Sequence, residues 1–180
     1  DGWRGIIADD FTYENVRRVA GAIASYVVKH ENPTGGVVVG YDTRFASQPI
    51  ARLAAEVIAG AGIPVIFASD YSPTPAISYA VKKRNAAGGV MITSSHNPWN
   101  WNGVKFKAKF GGSATPAIMK VIEQELSAGA MPSGKKAAIQ EIDLKPDYVR
   151  AICGFADLDL IAKAKLKLVV DSMYGSGRGV

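Results

Sequence analysis

Apolar positions along the chain follow two alternating periods. In residues 13–30 they fall at Val16, Val19, Ala20, Ile23 and Val27, the spacing of one helix face. Thr12 stands where a helix N-cap is needed, and Asn32-Pro33-Thr34-Gly35-Gly36 is a stop signal. Val37-Val38-Val39-Gly40-Tyr41 is an unbroken apolar run, the mark of a strand buried on both faces. Residues 48–61 return to helical spacing through Ile50, Leu53, Ala54, Val57 and Ile58, with Ser47 as the expected cap and Gly62 as the stop. Residues 63–68 read as the next strand, and Thr74-Pro75 opens a helix expected over 76–84.

The alternation continues to the end. Gly88-Gly89-Val90-Met91-Ile92 reads as a buried strand bounded by glycine. Asn102-Gly103 between extended runs predicts a hairpin turn there, with Val104-Lys105-Phe106-Lys107 as the returning strand. Pro116 starts a helix with Ile118, Val121, Ile122 and Leu126 on its apolar face. Residues 128–136 read as a loop, 139–142 as a strand, 146–152 and 157–163 as short helices, and 165–171 as a last strand before a glycine-rich turn. That turn lacks the Gly-Lys-Ser/Thr ending of a P-loop. Strands alternating with helices predict an α/β fold, a three-layer α/β/α domain, with the hairpin making a mainly parallel sheet mixed.

Composition narrows the function classes. With 180 residues and 48% hydrophobic content the chain can bury a real core. Its longest apolar stretches fall short of a membrane span, so no membrane role is expected. The single cysteine, Cys153, rules out an internal disulfide, is expected to be small packing in a helix, and points to a cytoplasmic setting. A net charge of +5 suits a small anionic substrate. The lysines are scattered and no nucleic-acid-binding motif is present, so no nucleic acid is expected as a partner.

The candidate chemistry lies in Thr93-Ser94-Ser95-His96-Asn97-Pro98, which follows the strand at 88–92. A loop at the C-terminal end of a strand in an open α/β sheet is where ligands bind. Ser, Thr, Asn and Pro are also ordinary turn residues, and a plain connecting loop is the competing reading. Arg4, between Gly2 and Gly5, is either a surface arginine or a fork of donors for phosphate. Asp42 and Arg44 follow the strand at 37–41 and can pair with each other to hold a loop. A serine hydrolase is disfavoured, because adjacent Ser95 and His96 are badly placed for a triad and no Gly-x-Ser-x-Gly elbow is present. Phosphoryl transfer asks mainly for positioning and positive charge, which Arg4 and Lys105 can supply.

Ser94-Ser95-His96-Asn97-Pro98 followed by Asn102-Gly103-Val104-Lys105-Phe106 resembles the phosphoserine loop of the α-D-phosphohexomutases, the family of phosphoglucomutase, phosphomannomutase and phosphoglucosamine mutase. Asp1-Gly2-Trp3-Arg4-Gly5, Gly40-Tyr41-Asp42-Thr43-Arg44 with Ser47, and Pro73-Thr74-Pro75 are similar to further patterns of that family. The resemblance implies that Ser95 carries the phosphoryl group, with Lys105, Arg4 and His96 as catalytic partners. Arg4, Lys105 and Asn97 then bind substrate, and Asp42, Arg44, Asn102 and Gly103 support the site. It implies interconversion of a hexose 1-phosphate and a hexose 6-phosphate through a hexose 1,6-bisphosphate, which also serves as activator. It implies one Mg²⁺ ion, with the Ser95 phosphate as one ligand and the others in a second domain.

The family's metal loop, its sugar-selecting loop and its C-terminal phosphate-binding segment have no counterpart in these residues. On this resemblance residues 1–164 form the first domain, 165–180 open a second, and the chain packs against downstream domains. The 180 residues alone are then expected to be inactive. Trp3 leans the reading towards phosphoglucomutase or phosphomannomutase. Phosphoglucosamine mutase is the alternative, as is a catalytically silent sugar-phosphate-binding relative.

Overall fold

The computed structural model describes residues 2–180. Six strands form one sheet in the order β1-β5-β4-β2-β3-β6: β1 Gly2–Ile6, β2 Val37–Tyr41, β3 Val65–Ala68, β4 Gly88–Ile92, β5 Trp101–Ala108 and β6 Ile139–Ile142. The β4, β2, β3 and β6 neighbours pair in parallel, and β5 runs antiparallel to both β4 and β1. The expected mixed sheet is therefore present, and a single reversed strand makes it mixed.

Helices cover both faces. α1 (Tyr13–His30), α2 (Ser47–Gly60) and α4 (Pro116–Ser127) lie on one side. Val16, Ile23, Val27, Ile50, Ala54 and Ile58 pack there against Val37, Val39, Phe67, Val90 and Phe106. α3 (Thr74–Lys83) covers the other face, where Ile77, Ala80 and Val81 meet Val38, Met91 and Leu144. α5 (Lys145–Cys153) packs on α3, and α6 (Leu158–Lys163) lies beyond it. From β2 the chain moves outward through α2 to β3, then crosses back through α3 to β4 on the other side of β2. The strand order thus reverses between β2 and β4. That switch point leaves a crevice at the strands' C-terminal ends, where open α/β sheets bind ligands.

Local chemistry explains most element boundaries. Thr12 accepts a hydrogen bond from the Asn15 N–H at 3.2 Å and caps α1, and Thr115 caps α4 through the Ile118 N–H at 3.3 Å. Several expectations are corrected. Ser47 is not the cap of α2: it is the first helical residue, and Ala46 precedes it in a left-handed conformation (φ 61°). Its hydroxyl is already committed to Asp42. α3 begins two residues early, at Thr74, because Pro73 already supplies the extended cap backbone. The first residues of the expected strand 63–68 are a turn exit, and β3 starts at Val65.

Two larger corrections concern β5 and the end of the chain. Asn102-Gly103 is no hairpin turn but lies inside β5, opposite Gly5 and Arg4 of β1. The reversal occurs in residues 93–100 instead, so the serine-rich loop is itself the hairpin loop. Residues 165–171 form no strand and are exposed. No described strand runs beside them to take up their backbone groups, and without a ladder an apolar run does not define a strand. Cys153 is exposed at the end of α5, a helix that buries none of its residues fully. No helix among the described residues is long and apolar enough to cross a membrane.

Candidate active site

At this switch point the loop after β2 and the strand β1 both hold the loop after β4, through Arg44 and Arg4. Three neighbouring hydroxyls end β4, and they differ in exposure. Thr93 is buried and its Oγ1 accepts the Ser95 N–H at 3.0 Å. Ser94 is fully buried, and its Oγ has no hydrogen-bond partner among the described residues. Ser95 is exposed, with φ at 57°, and its Oγ lies 3.3 Å from His96 Nδ1. Ser95 is therefore the one of the three that meets solvent. His96 makes no other hydrogen bond or ion pair among the described residues, so no carboxylate orients it as in a triad.

β1 brings Arg4 to the same place. Opposite residues of an antiparallel pair share a face, so Gly2 and Lys105, and Arg4 and Gly103, all lie on one side of the β1–β5 ribbon. Arg4 and Lys105 are thus diagonal neighbours, each opposite a glycine. A Cβ at Gly103 would lie 2.6 Å from the Trp3 carbonyl oxygen and 2.8 Å from that of Thr93. One at Gly2 would lie 2.2 Å from the Val104 oxygen. The two glycines let the strands close up while leaving this face to the cations. Arg4 donates from Nη1 to Asn97 Oδ1 at 3.2 Å, which ties β1 to the serine loop. Burial, then the charges of Lys107 and Arg4, hold the Lys105 ammonium below the usual lysine range.

A buried polar chain supports the loop from below. Asn102 is fully buried and donates to Ser47 Oγ at 2.9 Å and to the Phe45 carbonyl at 3.2 Å. Ser47 donates to Asp42 Oδ1 at 2.7 Å. Asp42 Oδ1 also accepts the Arg44 N–H at 2.9 Å, and Oδ2 sits 3.5 Å from Arg44 Nε. Arg44 then reaches the serine loop, donating to the carbonyls of Ser95, Asn97, Pro98 and Trp101. Ser47, expected as the cap of α2 and matched to a family pattern, serves this buried chain instead. Its helical neighbours disguised a buried polar contact as an N-cap, and only the tertiary contact with Asn102 reveals it.

A cavity of about 470 Å³ lies apart from this crevice. It lies between α1, α4 and the other face of β1 and β5, lined by Trp3, Val104, Phe106 and Ile122, and carries no candidate chemistry.

The family profile described as phosphoglucomutase/phosphomannomutase, alpha/beta/alpha domain I, matches residues 1–132. The chain belongs to that family, and the matched region contains every residue of the crevice. A phosphoglucosamine mutase of Desulforudis audaxviator is 32% identical over 182 aligned positions, covering 98% of this chain and 39% of that protein. A phosphoglucomutase of Staphylococcus saprophyticus is 36% identical over 117 positions, covering 65% of this chain and 21% of that protein. Among solved structures, a Thermus thermophilus protein assigned as a phosphomannomutase superposes with a TM-score of 0.78 at 36% identity. The match covers 88% of this chain and 36% of that one. The chain thus spans well under half the length of these relatives.

Proposed function

We propose that this chain is the phosphoserine-bearing domain of a phosphohexomutase, an isomerase that moves a phosphoryl group between the 1- and 6-oxygens of a hexose. What supports the reading is Ser95, exposed in a loop that Arg4 holds through Asn97, with Lys105 diagonal to Arg4 across the β1–β5 ribbon, in a domain of this family. In the forward half-reaction the bond from phosphorus to Ser95 Oγ breaks and a bond from phosphorus to a sugar oxygen forms. The proton of the sugar hydroxyl passes to Ser95 Oγ. Lys105, with its lowered pKa, is suited to carry that proton, and Arg4 to hold phosphate oxygens. The sugar bisphosphate then turns over and its other phosphoryl group returns to Ser95 by the same exchange. His96 and Asn97 steady the loop and the bound sugar phosphate, and a hexose 1,6-bisphosphate recharges a serine that has lost its phosphate.

Magnesium belongs to this reading as the ion that neutralises phosphate charge. Among the described residues no three His, Cys, Asp or Glu side chains converge on one point. Asp42 is already engaged by Arg44 and Ser47. Ser95, through its phosphate, would give the ion one oxygen ligand, with the others supplied from outside these residues. Residues 1–164 make up the domain that carries the loop, and 165–180 open a second domain that supplies those ligands. The single cysteine supports a cytoplasmic setting.

The relatives carry different sugars in their names. Assays of the full-length protein on glucose 1-phosphate, mannose 1-phosphate and glucosamine 1-phosphate assign the substrate. Ser95→Ala is expected to abolish turnover of whichever sugar reacts. Retained turnover in that variant means another group carries the phosphoryl.

A further inference from the structure

Arg44 has five N–H donors: the two Nη atoms make four hydrogen bonds to carbonyls, and Nε is turned to an ion pair. Nη1 donates to the carbonyls of Pro98 at 2.8 Å and Trp101 at 3.0 Å. Nη2 donates to those of Ser95 at 3.0 Å and Asn97 at 2.6 Å. Nε faces the Asp42 carboxylate. A guanidinium has no sixth donor, so Arg44 has nothing left with which to hold a phosphate. Arg4 has one such bond, to Asn97, and keeps donors for a ligand. Two arginines at one site therefore have different tasks.

The carbonyls held by Arg44 dictate where the matching N–H groups go. Every peptide bond among the described residues is trans, so each C=O points opposite to the N–H of the next residue. With the Ser95 and Pro98 carbonyls drawn onto the guanidinium, the N–H groups of His96 and Trp99 face away from it. Neither makes a hydrogen bond among the described residues. Ser95 itself is held in the left-handed region at φ 57°, a conformation that surrounding contacts must impose on a non-glycine residue.

We propose that Arg44, oriented through Asp42 and Ser47 by the buried Asn102, is a positioning residue that holds Ser95 in its left-handed conformation and turns the His96 and Trp99 amides outward as donors for the phosphoryl group on Ser95. The use of those amides rests on the mutase reading; the clamp does not. A fork of five directed donors is needed for four carbonyls and the Asp42 carboxylate, and an ammonium with three donors from one atom cannot reproduce it.

The test is made on the full-length protein with Arg44→Lys and Ser47→Ala, each checked by thermal melting. Two readouts are taken. The first is amide hydrogen exchange of Ser95, Asn97 and Trp101, whose N–H groups are hydrogen-bonded within the loop, expected to accelerate at least about tenfold in both variants while the amides of β4 stay protected. The second is the rate at which a hexose 1,6-bisphosphate phosphorylates Ser95. It is expected to fall about 100-fold in Arg44→Lys, the penalty for a misplaced nucleophile, with little change in KM. Arg4→Lys is expected to raise KM instead. Unchanged exchange in Arg44→Lys overturns the clamp. Faster exchange with an undiminished phosphorylation rate overturns the claim that the clamp serves the transfer. A native protein whose Ser95 is never phosphorylated removes the mutase reading and the role of the amides, while the exchange readout still decides the clamp.

Discussion

Three adjacent hydroxyl residues read alike as letters, and their surroundings separate them. Thr93 spends its oxygen on the Ser95 N–H, Ser94 is sealed in without a partner among the described residues, and Ser95 faces solvent. A buried hydroxyl with no partner costs more than it contributes. Ser94→Ala is therefore expected to raise stability by about 1 kcal/mol, a Tm increase of about 3 °C for a chain of this size. A lower Tm in that variant means that the hydroxyl has a partner in solution. Lys105 supplies a second prediction. Its folded pKa lies below its unfolded one, so between the two the unfolded chain binds more protons. Its contribution therefore makes stability rise with pH across that window, up to about 10.4. In turnover, a protonated Lys105 is lost at the same lowered pKa. The alkaline limb of the pH–rate profile is expected below the normal lysine range and is expected to move upward in Lys105→Arg. An alkaline limb that stays in place in that variant belongs to another group.

The elements show where a sequence signal was overruled. The helical periods of α1, α2 and α4 and the apolar runs of β2 and β4 were legible, because burial on one face or both leaves a regular pattern. Asn102-Gly103 was misleading, because the residues that favour a tight turn also suit a strand with another backbone pressed against it. Gly103 is a glycine so that the Trp3 and Thr93 carbonyls can approach, and Asn102 is an asparagine because it bonds Ser47 and Phe45 inside the fold. Those partners stand more than fifty positions away along the chain and leave no local trace. Asn102→Ala is expected to cost about 3 kcal/mol in denaturant unfolding, since it removes the buried donor to Ser47 Oγ and to the Phe45 carbonyl. A cost under about 1 kcal/mol means that the buried chain is not holding β5 to the loop after β2. The Asp42–Arg44 pairing was legible from spacing, but its grip on four loop carbonyls was not.

At the scale of the molecule, these residues span well under half the length of the relatives they match. Phe155, Leu168, Val169 and Val170 are exposed, and the described residues hold no cluster of metal ligands. The 180 residues alone are expected to show no mutase turnover, and any measurable turnover contradicts the division of labour proposed for the two domains. The most direct test of the central claim is phosphopeptide mapping of the full-length protein before and after exposure to a hexose 1,6-bisphosphate, followed by a hexose monophosphate. The account predicts phosphate on Ser95, absent from Thr93 and Ser94, that the bisphosphate installs and the monophosphate discharges. A loop that stays unmodified, or a phosphate that the monophosphate cannot remove, contradicts it and leaves Arg4 and Lys105 as ligands of a bound sugar phosphate only.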